Sequence, residues 1–165
     1  MNPFKPQVKS VEAFQRDIEP AIIAARNELV TAENFMAYKN GYSIDHYTRD
    51  NNTLYAFHSR MFFFTELDTD HIRDTYNKHL LPLGFELSEK RWTSNGVELV
   101  NFLWINEEYQ AVVSSTTRLG EQTGTHYYTQ DTPSDGSNGD PMQMINQPGR
   151  TPDWFDPNLP PADQK

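Results

Sequence analysis

The chain has 165 residues, no cysteine and a net charge of -9. Those facts exclude disulfides, thiol nucleophiles and cysteine-based zinc sites. With no run of Lys or Arg, they also argue against nucleic acid and anionic membranes as partners, since both need a positive face.

Residues 1–9 hold Pro3 and Pro6 and read as an extended lead-in, and the opening MNPFKPQ has no apolar core of a signal peptide. Ser10 suits a helix N-cap. Val11, Phe14, Ile18, Ile22, Ala25 and Leu29 then recur at spacings of 3 and 4, one helical stripe. Pro20 falls inside the stripe and removes a backbone donor. Because the stripe stays in phase across Pro20, the expectation is one kinked helix to about Asn34. A shorter helix starting near Pro20 is the alternative.

Residues 42–48 alternate with period two, Asp50, Asn51, Asn52 and Thr53 supply a turn, and residues 54–64 are rich in aromatic and β-favouring types. That pattern predicts a β-hairpin. Asp68 or Thr69 caps a second helix to about Leu80, with Ile72, Tyr76 and Leu80 on one face. Pro82 and Gly84 stop it. A third strand spans 85–93. Ser94, Asn95 and Gly96 signal a primed hairpin turn, and a fourth strand covers 97–105. After a turn at Asn106, a fifth spans 109–117. Gly120 and Gly124 bracket a further turn before a sixth at 125–130.

The order is therefore α-β-β-α-β-β-β(-β). Short connections make neighbouring strands antiparallel. The expected fold class is α+β over residues 10–130: a single antiparallel sheet of five to six strands with two helices packed on one face. Residues 131–165, rich in Pro, Gly and Asp, form a polar tail.

The fourth strand carries Val97, Leu99, Leu103 and Ile105 on one face, and Val100, Phe102 and Trp104 on the other. A sheet with one wet face would alternate apolar with polar. Both faces are therefore expected to be covered, one by helices and the other by the tail packing Trp154 and Phe155 on the sheet. If the tail stays away, Phe102, Trp104 and Tyr109 mark the contact region. Phe62, Phe63 and Phe64 cannot all point inward on one strand.

Five histidines are present. His46 and His58 flank the Asn51 turn almost symmetrically, with Asp45 adjacent. On a hairpin they would approach as an acid/base or metal pair, although two surface histidines are the commoner outcome. His71 and Asp74 share a helix face but lack a second His at the spacing a zinc helix needs. Asp135 and Asp140 lie among glycines in an oxygen-rich stretch of the calcium-loop kind. Met142 stands where such a loop needs its closing Glu. His46, His58, Asp135 and Asp140 are thus weak metal candidates, and no metal, cofactor or catalytic residue is expected. Ser115 has no nucleophile elbow around it, and Glu107 and Glu108 sit in a tight turn.

The stretch HLLPLGFELSEKRWTSNGVELVNFLWINEEYQAVVSSTTRLG combines a helix end, an L-G-F strand entry, an N-G turn and a V-V-S-S-T strand. It resembles the mature domains of small actinobacterial cell-envelope lipoproteins of unknown function. The resemblance implies an extracytoplasmic setting and a lipid anchor upstream of residue 1, and it carries no catalytic residues over. The functional expectation is a non-enzymatic binding domain for a protein, peptide or glycan. The alternatives are a small hydrolase using His46 or His58 with nearby carboxylates, and a cytosolic or phage structural protein.

Overall fold

The computed structural model describes residues 8–162, so most of the lead-in lies outside the described residues. Ser10 caps α1 (Val11–Asp17), its Oγ accepting the Ala13 N–H at 3.0 Å. The helix does not run on with a kink. Ile18 closes α1 through its N–H to the Phe14 carbonyl at 2.9 Å, and its own carbonyl accepts the first bonds of α2 (Glu19–Leu29). The reason is Pro20, whose ring has no place in a continuous helix but is tolerated in the first turn of a new one. The stripe keeps its phase across the break, so Phe14, Ile18, Ile22 and Leu29 all enter one core. α2 stops at Leu29, short of Asn34, because Asn34 Nδ2 donates to the Leu29 carbonyl at 2.7 Å and its Oδ1 accepts the Thr31 N–H.

A strand that the periodicity does not predict follows, β1 (Phe35–Lys39). With β2 (Ser43–Arg49), β3 (Asn52–His58) and β4 (Met61–Phe64) it builds one long bent hairpin. β2 pairs β3 from Ser43 opposite His58 to Arg49 opposite Asn52, and β1 pairs β4 from Lys39 opposite Met61 to Phe35 opposite Phe64. Asp50 and Asn51 turn it with φ of 53° and 66°, the left-handed pair that a primed turn requires.

Asp68 caps α3 (Thr69–Leu80) by accepting the Asp70 and His71 N–H groups, and Gly84 at φ 94° ends the 3-10 turn beyond it. β5 (Glu86–Ser94), β6 (Val97–Asn106), β7 (Ala111–Arg118) and β8 (Gln122–Thr129) form an antiparallel meander. Gly124 does not bracket a turn. It lies inside β8 opposite Phe63, where an added Cβ would stand 3.0 Å from that ring.

The fold is α+β with one antiparallel sheet. It has eight strands, more than expected, because β1 is added and one anticipated strand is broken into β3 and β4. The helices cover one face. Phe102, Ser115, Thr125, Phe62 and Tyr38 follow one another across the pairings and all lie on that side. Trp104, fully buried there, donates Nε1 to Asn77 Oδ1 at 2.8 Å, and its ring lies 4.6 Å from that of Tyr76.

The opposite face of β6 is not covered by the tail, and Ile105 is 38% exposed on it. The tail joins the helix-bearing face instead. Phe155 packs against Phe35, Tyr38 and Phe62, with ring centroids 5.2 to 5.9 Å away, and Trp154 lies 5.2 Å from Phe35. Those sheet aromatics lie over β1 and β4, where α2 reaches Phe62 through the Arg26 guanidinium and the tail supplies apolar cover.

Candidate functional site: a groove on the open sheet face

The open face takes its shape from the seam between β3 and β8. Only His58 and Tyr128 oppose each other there as a strand pair. Side-chain hydroxyls stand in for backbone rungs around them: Ser59 Oγ accepts the Tyr127 N–H at 2.9 Å, and Thr129 Oγ1 accepts the Phe57 N–H at 3.0 Å. An extra residue at Ser59 and Arg60 acts as a β-bulge and shifts the alternation. His58 stays on the open side, while Arg60 turns under, its guanidinium over the rings of Tyr38 and Phe155.

Three parallel rings line the resulting groove. His58 lies 6.1 Å from Tyr128 at an interplanar angle of 21°, and Tyr128 lies 5.9 Å from His126 at 17°. On one side a cleft of about 690 Å³ extends to Gly41, Ser43 and Met61. On the other, a cleft of about 800 Å³ reaches Leu54, Gln110 and Gln130. His58 and Tyr128 border both. Arg49 and Asp131 approach to 3.8 Å at the far end.

Asp45 Oδ2 stands 3.5 Å from His58 Nε2. His126 Nδ1 is buried with no hydrogen-bond partner. Burial, and to a smaller extent the charge of His58, pushes the His126 pKa down. This ring is neutral at pH 7.

The hairpin register separates the expected His46–His58 pair. His58 pairs with Ser43, and His46 stands opposite Tyr55 on the helix-bearing side. The histidine that shares a face with His58 is His126, from a strand 68 positions further along. Its signal in the sequence was the alternation of His126 with Tyr128 in the last strand, but nothing local tells which strand that face meets. Phe102 and Trp104 are buried beneath the helices at 1% and 0% exposure and offer no contact surface. Tyr109 lies at the end of α1, where its hydroxyl donates to Asp17 at 3.3 Å. Trp154 and Phe155 belong to the helix-side core.

Asp135 and Asp140 do not converge. Asp135 accepts from Ser10 Oγ and the Ser137 N–H, and its bonds to Ser137 hold its pKa below the usual carboxylate range. Asp140 caps a 3-10 turn through the Met142 N–H. Among the described residues no three His, Asp or Glu side chains gather as a metal site.

The groove supplies hydrogen-bonding ring edges with apolar surface between them. The His58 and Asp45 side chains are 45% and 71% exposed, so water bathes this pair. Ser59 Oγ is occupied, donating to the Arg60 carbonyl at 2.9 Å. Such a surface can hold a polar chain.

The family model described as Domain of unknown function (DUF4853) matches residues 7–140. A solved structure of a DUF4853 family protein from Actinomyces odontolyticus ATCC 17982 is similar in fold, with a TM-score of 0.60 at 10% sequence identity. The similarity covers 86% of this chain and 77% of that one. No curated protein matches the chain.

Proposed function

The chain belongs to the DUF4853 family, and from that premise we propose that it is a non-enzymatic binding domain acting outside the cytoplasm. Its ligand is an extended polar chain, a peptide or a glycan, held in the groove along β3 and β8. The observation that carries this reading is the parallel His58–Tyr128–His126 row on a sheet face left open by both helices and tail. The half-exposed His58 imidazole and the Tyr128 phenol border both clefts and carry the polar atoms that would bind a ligand's polar groups. The extracytoplasmic setting is supported by the resemblance of residues 79–120 to cell-envelope lipoproteins.

Titrating the labelled protein with short peptides and soluble oligosaccharides, followed by amide NMR, tests the groove. Binding should shift His58, His126 and Tyr128 and should weaken at least tenfold in Tyr128→Ala. Shifts confined to β5 and β6, or full affinity in Tyr128→Ala, would overturn the groove as the site.

A second reading, a small hydrolase, rests on the His58–Asp45 approach with Ser43 opposite His58. Turnover of generic ester, amide or glycoside substrates that vanishes in His58→Ala would favour it.

A further inference from the structure

The helix-bearing side holds a second polar cluster, separate from the groove. Arg26, Arg150 and Glu19 are 2%, 3% and 3% exposed. Arg150 Nε donates to Glu19 Oε2 at 2.8 Å, and the Tyr127 hydroxyl donates to the same oxygen at 2.6 Å. Arg26 donates to the Arg150 carbonyl and to the Tyr42 hydroxyl. Its guanidinium lies 4.7 Å from the Phe62 ring centre, and that of Arg150 lies 4.8 Å from Phe57. Two guanidiniums against one carboxylate leave one positive charge uncompensated. Among the described residues Arg26 has no carboxylate within ion-pair distance. Aromatic faces offset part of that cost, but a buried charge is normally paired.

Besides Arg60 Nε, whose guanidinium shares the Tyr42 ring with that of Arg150, two buried donors here have no partner, Arg150 Nη2 and Gln15 Nε2. Both residues line one cleft of about 390 Å³, between Gln15, Glu19 and Ile23 of the helices and Gln147 and Arg150 of the tail. The space admits an anion with several waters, each needing about 30 Å³.

We propose that this cleft is an oxyanion site, in which a carboxylate or phosphate oxygen accepts from Arg150 Nη2 and Gln15 Nε2, the two donors left without a partner beside it. The shared chemistry is an oxygen anion at a guanidinium, the strongest type of side-chain hydrogen bond. Because the cleft joins the helices to the tail, an occupant also ties residues 147–150 to the domain.

Calorimetric titration of the whole chain with inorganic phosphate and with acetate, at ionic strength matched by chloride, tests this. Saturable binding and a raised melting temperature are expected, with phosphate or acetate the tighter according to whether the natural ligand carries a phosphate or a carboxylate. Gln15→Leu should weaken binding at least tenfold. Gln15→Glu places a carboxylate in the cleft from within. It should raise the melting temperature of the anion-free protein and abolish the response to added anion, a gain that a folding defect cannot mimic. No stabilisation beyond chloride, equal binding by Gln15→Leu, or a lowered melting temperature in Gln15→Glu would overturn the site. Binding that persists unchanged in both variants would mean an adventitious ion only.

Discussion

Glu19 and Arg150 lie 131 positions apart in the chain and meet at 2.8 Å, each 3% exposed. The pair ties the tail to the first turn of α2. Removing Glu19 strands Arg150 as a buried charge beside Arg26, so Glu19→Ala is expected to cost about 3–5 kcal/mol. Replacing both, as Glu19→Leu with Arg150→Met, should cost less than the single change. Urea unfolding of the two variants checks the order. A single variant within about 0.5 kcal/mol of the parent, the range of ordinary surface changes, would show that the pair contributes nothing.

Phe155 lies outside the matched family segment, which ends at residue 140, yet it is 8% exposed and packs on three sheet aromatics. Phe155→Ala should destabilise by about 3 kcal/mol, the usual cost of emptying an aromatic site. Ending the chain at residue 140 should expose Phe35, Tyr38 and Phe62 and raise the binding of a hydrophobic dye. If the shortened chain melted where the full one does, the tail would be decoration.

Burial holds the His126 pKa below its ordinary 6.5, with a smaller contribution from His58. On acidification the unfolded chain takes up a proton that the folded one resists. The stability His126 contributes is complete above pH 6.5 and is lost as the pH falls through the folded value. Denaturant midpoints measured from pH 7 down to pH 5 should decline, and His126→Asn should flatten the decline. An unchanged slope in the variant would remove His126 as its source.

Two tyrosines behave in the opposite sense. Burial pushes Tyr76 up to about 12, and burial, then the charge of Glu19, pushes Tyr127 well above 10. Both must ionise on unfolding but resist it when folded. Their contribution is complete below pH 10 and disappears as the pH rises towards the folded values. Alkaline titration by phenolate absorbance should therefore show two of the eight tyrosines ionising only with loss of structure. Smooth titration of all eight below pH 11 would contradict the burial.

Elements whose signals lie within a few residues were legible in the sequence. The Asp68 cap, the Gly84 stop and the Asn95–Gly96 turn each depend on local backbone chemistry, and α3, β5 and β6 stand within one or two residues of where those signals place them. The break at Ile18 was half legible, because Pro20 permits either a kink or a restart and only packing chooses. β1 was missed because its five residues carry no alternation strong enough to stand apart from the preceding turn. Trp154 and Phe155 were legible as buried aromatics, but not as cover for β1 and β4, a strand pair that forms only when residues 35–39 find residues 61–64.

The groove shows the same division more sharply. Composition and period determined an acidic α+β domain with one antiparallel sheet, because each strand and helix declares itself through its nearest neighbours. Tertiary structure alone decided that His58 meets Tyr128 and His126 rather than His46. Pairing register is a long-range choice, and in a period-two element a slip of one residue sends every side chain to the other face. The turn at Asp50 and Asn51 set His46 opposite Tyr55, and the extra residue at Ser59 and Arg60 put His58 and Phe62 on opposite faces, so that His58 lines the groove while Phe62 lies under the tail.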